Sequence, residues 1–517
     1  MITQLLTCLK AALLAAAVAG SATEAAAQCM RIGTNLATQS PWEPDGAKAF
    51  KDGLADGQGE EWANTSNPWD AAFLQDISSA PYTVLRFMDW GVTNFCPLEK
   101  WEDRLRAEAN NYEAGYYRSG KNVAYRWMVD LCNRTGKDLW INVPHRANDT
   151  YVRELARLIK KQLEPGRKVY VEYSNETWNT AFAQGNGNEG QYTYCVREGK
   201  RLGLPGYDDL RKGQSFYVYR AVRVFKIFQD VFSQAPARGS LEKVLAFSGD
   251  EGVATDALKQ LDNPQVNPDG IRPTVFAVAP YIKLADVASA GALQRFKNAV
   301  DALYEAPRPG FAGGYMTKFK NVLAAFHRTH SYRLRFVAYE GGDESFNSTS
   351  AGFARNPEAY DAYTYMLHKI KPDLQMFVHF VHASKWSGTE AWGAKEYYGQ
   401  PDAKAPKYRA LRDFANAMCK APAAQTSSAL PATAAAAGAL GLAVHPNPAQ
   451  HAFTVLLPTS GPATIEVLDV AGRVVAAQAT PGQGEQAVDV RRLAPGFYTV
   501  RVTQGATVTT ERLELTN

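Results

Sequence analysis

Eight short apolar runs recur along the first 420 residues, at 30–35, 83–89, 138–144, 169–179, 244–248, 275–280, 336–340 and 375–381. Runs that are apolar at nearly every position indicate strands buried on both faces, as in a parallel sheet. The segments between them are mostly amphipathic. Behind a cap at Asp149-Thr150, the residues Val152, Leu155, Leu158, Ile159 and Leu163 fall on one helical face. Residues 217–232, 293–304 and 360–370 repeat that spacing. Strand and helix alternating in this way predict an α/β chain folded as a (β/α)8 TIM barrel over residues 28–420. The region is long for that fold, so loops after the first, fourth and sixth strands are expected to carry the excess. The polar tract 184–206, rich in Gly and Tyr, reads as such a loop, placed to wall a cleft.

Two changes of pattern bound the barrel. Residues 421–443 are an uncharged Ala/Pro/Ser/Thr tract with an alanine run, the composition of a linker. Residues 444–517 then alternate apolar and polar positions over short stretches broken by Gly and Pro, the pattern of a small all-β Ig-like sandwich. At the other end, Lys10, the short apolar region 11–19 and the small residues Ala25-Ala26-Ala27 read as a signal peptide over residues 1–27. That apolar region is too short to span a bilayer. Cys29 invites a lipid-anchor reading, but Gln28 before it favours plain secretion.

Composition changes little. A net charge of +4 over 517 residues gives no reason to expect nucleic acid or an anionic membrane as a partner. The 25 Tyr, 23 Phe and 10 Trp serve a core and also suit stacking on sugar rings. Once the signal is removed, Cys29, Cys96, Cys132, Cys195 and Cys419 remain. An odd number leaves a thiol without an intrachain partner, and a Cys29–Cys419 bridge closing the main domain stands beside a reading in which all are buried and free. No cofactor is called for, and a monomer is expected.

The chemistry sits where two strand runs end. The run starting at Val169 turns abruptly polar at Ser174-Asn175-Glu176, and the run 334–342 ends in Glu340 before two glycines. Carboxylates at two strand ends are the equipment of glycoside hydrolysis. Asn175-Glu176 on the fourth strand with Glu340 on the seventh resembles the retaining (β/α)8 glycosidases of clan A. The resemblance implies that Glu176 is the general acid/base, Glu340 the nucleophile, and Asn175 the amide that holds the sugar 2-hydroxyl. It further implies that Arg86 on strand two and Tyr281 after strand six support Glu340. His145 at the close of strand three is a candidate for a sugar hydroxyl, and Trp386 for the aromatic platform, with Trp392 as its rival. Trp178 and Trp90 are candidates for further subsites. Glu172, Asp250, Glu251, Asp343 and Glu344 compete as acidic residues, Glu172 because alternation puts it on the face of Ser174 and Glu176.

The tail carries its own resemblance. His445-Pro-Asn-Pro-Ala449, Val467-Leu-Asp-Val-Ala-Gly-Arg473 and Leu493-Ala-Pro-Gly-Phe-Tyr498 resemble, in order, the C-terminal sorting domain of type IX secretion. That implies a Gram-negative bacterium, passage across both membranes and later removal of the domain. A carbohydrate-binding sandwich is the competing reading of these strands. Together these features predict a secreted retaining glycosidase for an extracellular polysaccharide or oligosaccharide. A catalytically inactive carbohydrate-binding barrel is the alternative, and a lyase or aldolase barrel a third reading. No Gly-Lys-Ser/Thr phosphate loop, His-Glu-x-x-His pair or Gly-x-Ser-x-Gly elbow appears.

Overall fold

A computed structural model describes residues 29–36, 65–104, 106, 123–185, 187–234, 240–283, 291–344, 350–387 and 391–418, and, further on, 444–445, 449–457, 462–469, 473–481, 484–504 and 507–516. The expected signal peptide, the linker and Cys419 lie outside the described residues. The chain divides into two compact units, Met1–Ala421 and Pro422–Asn517.

The first unit is a closed barrel of eight parallel strands. They are β1 (Arg31–Asn35), β2 (Val84–Arg86), β3 (Asp138–Val143), β4 (Lys168–Tyr173), β5 (Ser240–Ala246), β6 (Val275–Val278), β7 (Arg335–Ala338) and β8 (Met376–His379). Each pairs with its neighbours in sequence, and β8 returns to β1 with Arg31 opposite Met376. Alternation divides the side chains between two cores. Val84, Trp140, Tyr170, Val244, Val275, Ala277, Val337, Met376 and Val378 fill the barrel interior. Leu85, Leu139, Ile141, Val169, Val171, Phe276 and Phe377 join the larger core shared with the surrounding helices. The parity that sends Trp140 and Tyr170 inward also sends Arg86 on β2 and Glu172 on β4 inward.

The 217–232 pattern belongs to a longer helix, Asp209–Ser233, which begins behind the capping side chain of Asp208. The cap before Asp149–Gln162 is Asn148, whose side chain accepts from the Tyr151 N–H, rather than the Asp149-Thr150 pair. The tract expected as a loop at 184–206 contains a helix, Gln191–Arg201, that packs along Asp209–Ser233. Its few apolar residues hid it. Its buried positions are Gln191, Cys195, Glu198 and Gly199, and the polar ones are satisfied by hydrogen bonds and by Arg197 and Arg201. Cys96, Cys132 and Cys195 are free and buried. Cys29 is disulfide-bonded, to a partner outside the described residues.

The second unit is all-β. A three-stranded antiparallel sheet (Val444–His445, Ala452–Leu457, Gly484–Asp489) and a four-stranded one (Ala463–Leu468, Val474–Thr480, Gly496–Gln504, Thr507–Leu515) share one core. Phe453 and Val455 from the first meet Ile465, Val467, Val500 and Leu513 from the second. Tyr498 donates to the Ala494 carbonyl at 2.8 Å, tying the last turn to the sheet.

Candidate active site

At the C-terminal end of the barrel, β4 and β7 stop alternating, and the two glutamates appear at these stops. Past Tyr173, Ser174 and Glu176 take left-handed φ values of 59° and 42°. Two such residues in three break the period-2 rule, so parity along β4 does not decide where Asn175 and Glu176 point. Past Glu340, Gly341 has φ 157°, and a Cβ there would lie 2.7 Å from the Phe377 ring. Only glycine fits, which accounts for the Gly341-Gly342 pair. Beyond it, Gly342–Glu344 pairs in parallel with Tyr281–Lys283, placing Gly342 opposite Tyr281.

Arg86 is the hub. Fully buried, it donates from Nε and Nη2 to the two oxygens of Glu172, both at 3.1 Å. Its Nη1 reaches Glu340 Oε1 at 2.6 Å and Asn35 Oδ1 at 3.0 Å, and its Nη2 reaches Asn175 Oδ1 at 2.9 Å. Burial alone would lower the guanidinium pKa, but the charges of Glu172 and Glu340 outweigh it and raise it. Tyr281 donates to Glu340 Oε2 at 2.9 Å, so Glu340 accepts at both oxygens. Burial and the nearby Glu340 charge hold the Tyr281 phenol protonated, well above its ordinary pKa. Asn175 is fixed at its other end, donating to Asn94 Oδ1 at 3.1 Å, while Gln191 donates to both Asn94 and the Asn175 carbonyl.

Glu176 is set differently. It accepts from Tyr339 at Oε1, 2.6 Å, and from Asn179 at Oε2, 2.9 Å. Burial, and then the charge of Glu340, push its pKa up to about 7, against the pull of those two donors. Two carboxyl groups in one network thus have opposite surroundings.

A cleft of about 640 Å3 adjoins this network, with Glu176, Trp178, Asn179, Tyr281, Lys283 and Glu344 in its wall. The Trp178 indole lies over Gly249, where φ is 80° and a Cβ would sit 3.2 Å from the ring; its Nε1 is buried and has no hydrogen-bond partner among the described residues. Ser248 and Tyr315, joined at 2.9 Å, also line it.

The remaining candidates fall elsewhere. Trp386 is buried against Ala354 and Ala391 and bonds the Gly393 carbonyl at 3.0 Å, which makes it a packing residue; neither it nor Trp392 is in the cleft lining. Its rival Trp392 is half-buried and meets Tyr281 edge-on at 5.7 Å, with Phe380 beside both. His145 is buried edge-on to Tyr194 at 5.2 Å, and burial with the Arg146 charge lowers its pKa to about 3. It too is not in the cleft lining. Trp90 stacks on Trp69 at 5.9 Å in the core. Among the competing acids, Asp343 is buried and bound by Lys407 at 2.9 Å and by Tyr363, Asp250 caps the helix Glu251–Lys259, and Glu251 pairs with Lys318 at 3.1 Å. Glu344 pairs with Lys283 at 3.5 Å.

Sequence reasoning missed Asn35, Asn94, Gln191, Asn179 and Tyr339. Asn35 had the same signal as Asn175, a polar residue at the tip of a strand. Tyr339 had inward parity with Val337. Asn94, Asn179 and Gln191 carried none, because loops position them. Among the described residues no group of three or more His, Cys, Asp or Glu could hold a metal ion.

Residues 443–515 match the family described as the secretion system C-terminal sorting domain. No curated protein matches the chain in sequence. Among solved structures, a Cellulomonas fimi endo-beta-1,4-mannanase double mutant is 12% identical with TM-score 0.37, covering 95% of this chain and 94% of that one. Beta-glucosidase 2 from the fungus Trichoderma reesei, in complex with Tris, is 12% identical with TM-score 0.41, covering 76% and 99%. A family 1 beta-glucosidase from Thermotoga maritima is 10% identical with TM-score 0.39, covering 75% and 98%.

Proposed function

We propose that the barrel is a retaining glycoside hydrolase acting on an extracellular polysaccharide or oligosaccharide by double displacement. The observation that carries this reading is one hydrogen-bonded cluster in which Glu340 accepts from Arg86 and Tyr281 while Glu176 is raised to about 7. In the first step a Glu340 oxygen attacks the anomeric carbon, and Glu176 gives its proton to the departing glycosidic oxygen. In the second, Glu176, now ionised, takes a proton from the water that displaces Glu340 from the sugar. A midpoint near 7 keeps both forms of Glu176 accessible at neutral pH. Asn175, clamped by Arg86 and Asn94, offers its amide to the sugar 2-hydroxyl. Trp178 in the cleft wall offers its ring face to a bound sugar. Of the two tryptophans after β8, the half-buried Trp392 beside Tyr281 is the better candidate for the aromatic surface beneath the reacting ring.

The sorting tail indicates secretion or cell-surface export, and no helix among the described residues is long and apolar enough to cross a membrane. We assign the route to type IX machinery across both membranes of a Gram-negative envelope, which favours a polymer met outside the cell. The test is hydrolysis of a polysaccharide panel by wild type, Glu176→Gln and Glu340→Gln. Reducing ends released by wild type and cut at least ~100-fold in both variants support the pair. Glycan binding without turnover by wild type would favour a binding barrel instead.

A further inference from the structure

Tyr339 is the residue whose placement the two-carboxylate scheme leaves unexplained. It follows β7 with the inward parity of Val337 and lies in the barrel interior, fully buried. Its backbone is fixed on both sides: its N–H donates to the Val278 carbonyl at 2.9 Å, and its carbonyl accepts from Asn35 Nδ2 at 3.2 Å. Its ring lies under the Arg86 guanidinium, 5.0 Å from the ring centroid. The phenol, so held, donates to Glu176 Oε1 at 2.6 Å. Tyr339 thus runs from the cation that serves Glu340 to the carboxyl group of Glu176, and it is the immediate chain neighbour of Glu340.

The two oxygens of Glu176 meet different surroundings. Oε1 faces Tyr339, which is absent from the cleft lining; Oε2 faces Asn179, which is part of it. We propose that Tyr339 is a positioning residue that occupies Oε1 as an acceptor, so that the transferable proton of Glu176 resides on Oε2, on the cleft side. This rests on the glycosidase reading for its catalytic consequence, though not for the hydrogen bond itself. Burial and the charges of Glu176 and Glu340 keep the phenol protonated far above neutral pH, so it donates throughout the cycle. A proton on Oε1 would set two O–H groups against each other, whereas a proton on Oε2 needs only the half-buried Asn179 side chain to shift. No atom is gained or lost by Tyr339: the proton passes from Glu176 Oε2 to the leaving oxygen and returns to Oε2 from water.

The test pairs a titration with a kinetic comparison in Tyr339→Phe. Removing a donor that favours the ionised form is expected to raise the Glu176 midpoint by about one pH unit, a tenfold change. The midpoint is read by 13C NMR of the carboxyl resonance that Glu176→Gln removes. Hydrolysis of a substrate that needs protonation of its leaving group should fall by about 10–100-fold, while cleavage of a dinitrophenyl glycoside changes by less than about threefold. An unmoved midpoint, or equal losses on both substrates, overturns the proposal. In unaltered protein, a downfield phenolic proton that shifts as Glu176 titrates and vanishes in Glu176→Gln supports it, and its absence counts against it, even where the Phe variant does not fold. If wild type hydrolyses nothing, the glycosidase reading fails while the titration still decides the role of Tyr339.

Discussion

A carboxyl group is made an acid or a nucleophile by what its oxygens meet, and in the proposed double displacement that difference in surroundings is what separates Glu176 from Glu340. Glu176 must be protonated to donate, so the first step should be present at low pH and fade as pH rises through about 7. Burial is the larger cause of that shift and the Glu340 charge the second. Glu340→Gln removes the second alone, and the Glu176 midpoint should move back toward 4.5, followed by 13C titration. The same shift has a stability consequence: the folded chain favours protonated Glu176, and that contribution is lost as pH rises from 4.5 through about 7. Arg86→Leu would leave Glu172 and Glu340 buried without their cation. A loss of about 3–5 kcal/mol in urea unfolding is expected, larger than for any single acceptor variant.

Elements decide which side chains reach the cleft. Eight strands were legible because both faces of each are buried, and buried parallel strands leave near-continuous apolar runs. Arg86 was legible for the opposite reason, as a charge inside such a run. The helix Gln191–Arg201 was not, because its buried face holds Gln191 and Glu198 rather than apolar residues. Trp386 and Trp392 show the limit at loops: both follow β8, and only tertiary packing sends one inward and brings the other against Tyr281. Trp392→Ala should accordingly raise KM by at least about fivefold with the fold intact, since stacking an aromatic ring contributes about 1 kcal/mol or more. Trp386→Ala should instead lower stability by about 3–5 kcal/mol, the cost of truncating a buried Trp, as a melting curve would record. Lys407→Met separates structure from chemistry in the same way. It strips buried Asp343 of its cation and should destabilise the barrel by about 3–5 kcal/mol while leaving the pH profile in place.

At the scale of the whole molecule the chain joins two compact units with separate cores, and the tail motifs that marked the second were among the most readable features of the sequence. The tail indicates secretion or cell-surface export, so deletion of 443–517 should abolish appearance of the protein outside the cell without changing the proposed activity of the barrel. Immunoblots of cell and medium fractions, beside an assay of the purified barrel, check both halves of that expectation. The central claim concerns Glu340, and the most direct measurement is mass spectrometry of the enzyme quenched during reaction with dinitrophenyl 2-deoxy-2-fluoro-glycosides. The account predicts one glycosyl group on the peptide beginning at Phe336, attached at Glu340 and absent in Glu340→Gln. Attachment at Glu172 or Asp343, or hydrolysis with inverted anomeric configuration and no adduct, would contradict it.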